Sequence, residues 1–147
     1  MMRTRQGENK RVAMILQSLS GVPAFLGYLL VAMALLVAYV VIYTAITRHD
    51  EFALIRKNVP GAAVALGLSA VGFALPLTSA IGHAANVVDC AIWGVIALIV
   101  QIAVYYLVRL TIPDLSERIQ KGELAAAIWL GLTSVTAGML SAASMAL

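Results

Sequence analysis

Residues 50–80 of this chain occur twice. Shifted by 64 positions, Asp114 falls on Asp50, Ile119 on Ile55 and Lys121 on Lys57. Ala126-Ala127 falls on Ala62-Ala63, and Leu130-Gly131-Leu132 on Leu66-Gly67-Leu68. Each copy is a short charged segment that runs into an apolar stretch with small residues along one side. Each is also preceded by another long apolar run, so the duplicated unit contains two spans. Hydrophobic residues make up 62% of the chain and charged residues 12%, where soluble domains sit near half and a quarter. A chain of 147 residues this apolar cannot hide its surface in one soluble core and must use lipid as solvent. The expected fold is therefore all-α: a polytopic membrane protein with four transmembrane helices, arranged as two tandem two-helix repeats in the same orientation. The repeats are residues 21–83 and 84–147, behind a basic lead at 1–20 that is interfacial or disordered.

The first span is Val22–Ile46, with Pro23 in its first turn, where a missing N–H costs nothing. It is far longer than the roughly 7–15 residues of a signal-peptide core, so no cleavage is expected. Tyr39 and Tyr43, one turn apart, read as interfacial anchors. The second span is 61–81, with Pro76 predicting a kink whose freed carbonyl Thr78 or Ser79 can satisfy. The third is 90–108 and the fourth 124–146. Between them lie loops at 47–60, 82–89 and 111–123. Phe52, Leu54 and Ile55 among charges, and Leu115 with Ile119, suit short amphipathic helices at headgroup level.

Two spans per repeat put loops 47–60 and 111–123 on one side of the membrane and both termini with loop 82–89 on the other. The first side carries Arg48, Arg56, Lys57, Arg109, Arg118 and Lys121, while loop 82–89 has no Lys or Arg. Positive-inside bias places loops 47–60 and 111–123 in the cytoplasm and both termini outside. The basic tail from Arg3 to Arg11 argues for the reverse.

Small residues recur at helical spacing in both repeats: Ala63, Gly67, Ala70 and Ala74, then Ala127, Gly131, Ser134, Gly138 and Ser141. Such stripes let backbones approach closely, and packing drives helix association in lipid. They predict helix-packing surfaces and a homo-oligomer. Gln101 sits deep in the third span; it reads as an interhelical hydrogen bond to Ser69 or Ser134, or else as part of a polar path with Ser79. Asp50 with Glu51, and Asp114 with Glu117, are the paired acids; general acid–base work would need them to converge in one pocket, and a solvated loop face is favoured, with a shared cation or partner-binding site at the cytoplasmic mouth as the alternative. Asp50, Glu51, Arg56, Lys57, Asp114, Arg118 and Lys121 are the candidate cytoplasmic contacts. His49 and His83 fall on opposite sides and cannot share a metal; Cys90 has no ligand spacing. No catalytic constellation is visible, so no enzyme, cofactor or metal is expected. A basic balance of +3 fits cytoplasmic loops better than nucleic acid.

The run 47–58 followed by Ala62-Ala63 resembles the first loop of the bacterial "domain of unknown function 350" family, the YjfL-like inner-membrane proteins. Residues 75–80, 89–94, 97–101 and 109–115 are similar to later segments of that family. The resemblance covers roughly residue 21 to the C-terminus and implies a pair of two-span repeats in the bacterial inner membrane. It implies no activity. It also implies a link to membrane stress through phage-shock-protein-A-like membrane-remodelling partners. The function expected is thus a non-enzymatic, oligomeric inner-membrane component, with a small channel or transport-like module near Gln101 as the alternative.

Overall fold

The computed structural model describes residues 2–48 and 50–146, with side chains from residue 7 onward; His49, and the side chains of Arg3 and Arg5, lie outside the described residues. Among the described residues all regular structure is helical. The order is α1 (Met2–Ser20), α2 (Val22–Ile46), α3 (Glu51–Arg56), α4 (Pro60–His83), α5 (Val87–Thr111), α6 (Leu115–Gln120) and α7 (Leu124–Met145). Four helices are long and apolar enough to cross a membrane. At 1.5 Å per residue, α2, α4, α5 and α7 each reach across a hydrocarbon core of about 30 Å.

Helix α1 is exposed along its length from Gly7 and joins α2 through Gly21, itself in helical conformation. The second and third spans are longer than expected. Helix α4 continues through Gly82 and His83, and α5 begins at Val87 because Asn86 caps it, its Oδ1 accepting from the backbone N–H of Asp89 at 3.0 Å. The expected loop 82–89 shrinks to residues 84–86. The two short amphipathic helices form as expected. Asp50 caps α3 by accepting from the N–H of Ala53 at 2.9 Å, and α6 buries Leu115 and Ile119.

Helix α4 is the centre of the bundle and packs against α2, α3, α5, α6 and α7. Its tightest partner is α7. Gly61 lies against residues 119–123, Leu68 against Gly131, Ser69 against Ser134 and Ser79 against Ala142. The two helices therefore run in the same direction at the same level. Their closest approach is between Gly72 and Gly138: a Cβ on Gly138 would overlap the carbonyl of Gly72. Pro76, buried within α4, explains why that carbonyl is free to face a neighbour, since a proline four residues on supplies no N–H to it. Thr78 and Ser79 do not satisfy it, contrary to expectation. Thr78 donates to the carbonyl of Leu75 at 2.6 Å, and Ser79 crosses to the carbonyl of Ala142 at 2.8 Å.

The two small-residue stripes part company here. On α7, Ala127, Gly131, Ser134 and Gly138 are buried and Ser141 is half-buried. On α4, Ala63 and Gly67 are exposed, and Ala70 and Ala74 are half-buried. Helix α4 buries instead Ala62, Ala65, Ser69, Gly72, Phe73, Pro76 and Ala80. A central helix must turn its inner face toward several neighbours at once, whereas α7 is held from one side.

This geometry sets a stability order. Gly138→Ala places a methyl against backbone that cannot move aside, and is expected to cost about 2 kcal/mol or more. Gly67→Ala meets open space and is expected to be neutral or to stabilise by up to about 1 kcal/mol. Denaturant titration of the purified protein in micelles checks both; equal effects would show that the Gly72–Gly138 contact does not hold the bundle.

Candidate functional site

The polar groups inside the bundle collect toward the end that bears α3 and α6. Tyr39 and Tyr43, expected as interfacial anchors, are each only 1% exposed. The correction has a simple cause: Tyr39 and Tyr43 lie on the one face of α2 that meets α4 and α5, where their rings find aromatic partners, whereas Phe25, nearer the start of the helix, is exposed. Tyr39 stacks on Phe73 with ring centroids 4.7 Å apart, and Tyr43 meets Tyr105 edge-on at 5.6 Å. Of the adjacent pair in α5, Tyr105 turns inward and Tyr106 outward. The Tyr105 hydroxyl lies 3.4 Å from that of Ser116 in α6.

Deeper in, Ser69 on α4 and Ser134 on α7 face each other with hydroxyls 3.4 Å apart. Gln101 on α5 reaches the same point, its Nε2 donating to the backbone carbonyl of Ser134 at 2.9 Å. It is 1% exposed. The expected interhelical bond is therefore made, but to the backbone oxygen of Ser134 instead of its hydroxyl. Gly72 is required beside it, because a Cβ there would lie 2.5 Å from Gln101 Nε2. Ser79 belongs to the other end of the bundle, tied to Ala142. Ser141 lines a lateral groove between α5 and α7 with Trp93 and Val100. The Gly72–Gly138 contact stands between these residues and the Gln101 cluster.

Glu51 is the residue whose placement differs most from expectation. Read from sequence as part of a solvated loop face, it is 0% exposed. The cap made by Asp50 fixes the first turn of α3 and turns the next side chain inward, beneath α3, where it interacts electrostatically with Tyr43 and Tyr105. Burial pushes its carboxyl above the usual carboxylate range; the neighbouring Asp50 charge adds to this, while Thr47 and the residue's own backbone N–H oppose it. The sequence held a signal for this position. Shifted by 64 places, Glu51 falls on Leu115, which is 1% exposed at the start of α6. Both side chains plug the loop end of the bundle; one is a leucine and the other an acid.

The remaining candidate loop residues stay outside. Asp50, Arg56, Lys57, Asp114 and Lys121 are exposed and Arg118 is half-buried. Arg118 pairs with Glu123 at 2.6 Å and Lys121 with Glu117 at 2.7 Å. Among the described residues no group of three or more His, Cys, Asp or Glu is placed to hold a metal.

The profile of the family described as Domain of Unknown Function (DUF350) matches residues 16–145. The chain is similar to the "UPF0719 inner membrane protein YjfL" of Escherichia coli K12, at 36% identity over 122 residues, covering 83% of this chain and 92% of that protein. The protein of the same name from Escherichia coli O157:H7 matches to the same extent. No solved structure matches the chain.

The raised Glu51 carboxyl predicts a pH dependence of stability. A folded-state pKa above the unfolded value means that its contribution is fully present below the unfolded pKa and is lost as pH rises through the folded one. Glu51→Gln keeps the shape and removes the charge. It is expected to raise the melting temperature at pH 7 relative to the parent chain, the difference closing below about pH 4. A lower melting temperature for Glu51→Gln at pH 7 would show that the ionised carboxylate is the favoured form.

Proposed function

This chain belongs to the DUF350 family, and on that premise we propose that this multi-pass inner-membrane protein is a non-enzymatic component that presents two charged helices to cytoplasmic partners. The observation that carries the reading is the construction of α3 and α6. Each inserts a buried side chain into the end of the bundle, Glu51 in one and Leu115 in the other, and leaves its charges outside. A change in packing among α2, α4 and α5 is then transmitted to the position of Arg56, Lys57, Arg118 and Lys121. Such coupling is what a reporter of membrane state needs, and it supports the implied link to membrane stress and to phage-shock-protein-A-like partners.

The finer architecture belongs to the same proposal. The 64-residue offset, together with the parallel, level pairing of α4 and α7, supports two tandem repeats in one orientation. The outward stripe of Ala63, Gly67, Ala70 and Ala74 leaves α4 a close-packing surface for a second copy. A small channel has less behind it, because Gln101 and Ser134 are packed against each other and Gly72–Gly138 separates them from Ser79 and Ser141.

Charge reversal tests the reading. Replacing Arg56, Lys57, Arg118 and Lys121 by Glu together is expected to strip specific proteins from material purified in mild detergent, with helicity retained. An unchanged set of co-purifying proteins would refute a partner-binding role for these helices.

Sidedness is tested by thiol labelling. Cys90 itself is buried, Asn86 caps α5 and Asn58 has a φ of 60°, so exposed neighbours make better probes. In a Cys90→Ser background, Ala85→Cys is expected to react with an impermeant reagent from outside the inner membrane. Lys57→Cys should react only after that membrane is opened. The opposite pattern would mean that the basic N-terminal helix sets the orientation.

A further inference from the structure

Between the loop-side ends of α2 and α5 and the start of α6 lies a cleft of about 370 Å³, within the roughly 300–1,000 Å³ range of small-molecule sites. Two guanidinium groups line it, Arg48 just past the end of α2 and Arg109 in the last turn of α5. They are distant in sequence and converge only through the fold. Among the described residues neither is ion-paired. Ser116 adds a hydroxyl to the wall, beside that of Tyr105.

The acids in the wall are not equivalent. Glu117 is engaged by Lys121 at 2.7 Å. Asp114 is held in the left-handed region at φ 56°, and its side chain makes no capping bond. Its sequence counterpart Asp50 has φ −87° and spends its carboxylate on capping α3. Residues other than glycine disfavour the left-handed backbone, and here it accompanies a residue that lines the cleft and leaves the helix it precedes uncapped. The cleft thus offers two cations and the carboxylate of Asp114, which is in no ion pair among the described residues and lies within electrostatic reach of Lys121.

Both arginines sit where a membrane-spanning helix ends, which is headgroup level. Beside Arg109, Leu110 is 80% exposed, and one turn along the same face of α5 Tyr106 is 44% exposed, so apolar surface adjoins the cleft on the lipid side. A ligand that is charged at one end and apolar at the other fits this arrangement better than a soluble anion. We propose that this cleft seats the headgroup of an aminophospholipid, with the phosphate between Arg48 and Arg109 and the ammonium at Asp114. Arginine forks recognise phosphate oxygens in pairs, and with Glu117 held by Lys121 the Asp114 carboxylate makes the site prefer a zwitterionic headgroup over an anionic one. The site does not depend on which leaflet the loops face, nor on any protein partner.

Native mass spectrometry of the purified full chain in detergent tests this, with short-chain phosphatidylethanolamine, short-chain phosphatidylglycerol and inorganic phosphate as probes. Phosphatidylethanolamine is expected to bind most tightly. Arg48→Gln and Arg109→Gln should each weaken it about tenfold or more, the loss of one charge-assisted contact. Asp114→Asn tolerates the left-handed backbone and should abolish the preference for phosphatidylethanolamine over phosphatidylglycerol while keeping binding. Arg11→Gln, on α1, should change nothing. Should either glutamine variant fail to fold, Arg109→Lys keeps the charge, removes the fork and reads the same loss. Equal binding of the two lipids by the parent chain, inorganic phosphate binding as tightly as lipid, or affinity indifferent to both arginines would each overturn the proposal.

Discussion

The bundle depends on two backbones touching in the middle of a membrane. Lipid supplies no hydrophobic drive between helices, so close packing and buried polar contacts must hold them. Gly72 and Gly138 provide the packing, and Pro76 determines which carbonyl of α4 is turned toward it. Everything polar nearby is arranged around that approach. Gln101 can reach the Ser134 carbonyl because Gly72 has no side chain, and Ser69 can face Ser134 because the helices are already close. By comparison α2 is held more loosely, through Tyr39 and Tyr43 and through Leu35 seated against Gly94.

The loop end is built on a different principle. There two six-residue helices, too short to be stable alone, are fixed by what they insert into the bundle. Leu115 and Ile119 do this for α6 by burying apolar surface. Helix α3 does it with Glu51, and a buried carboxyl is a poorer plug than leucine because desolvation opposes its charge. The same slot filled in two chemically different ways makes α3 the more sensitive of the pair to its surroundings.

The architecture was largely legible before any coordinates. Lengths of apolar runs fixed four spans, charges flanking Leu115 and Ile119 marked the loop helices, and the Gln101 bond was foreseeable from a lone amide in an apolar helix. What could not be read was rotation about each helix axis. Glycine spacing looks the same on an inward face as on an outward one, so Gly67 and Gly131 were indistinguishable, yet one is open and the other packed against Leu68. Tyrosines near a span end obey the same ambiguity between interface and core. Glu51 was misread for a related reason: its direction is set by the cap at Asp50, a local geometry that a charge pattern does not encode. Gly72, four residues before Pro76, was the overlooked partner, since a freed carbonyl on a residue with no side chain announces a close neighbour.

The partnership of α4 with α7 also dictates an order of events during synthesis. About 40 residues separate the end of α4 from the start of α7. At translation rates of roughly 5–20 residues per second, α4 must wait roughly 2–8 s for its principal partner. Through that interval Gly72 lacks the backbone it packs against, and Gln101 lacks the Ser134 carbonyl to which it donates, in a setting where an unsatisfied polar group is costly. Helix α7 is thus made after the helices whose packing it completes, and a nascent chain stalled between α5 and α7 holds α2, α4 and α5 without a finished interior.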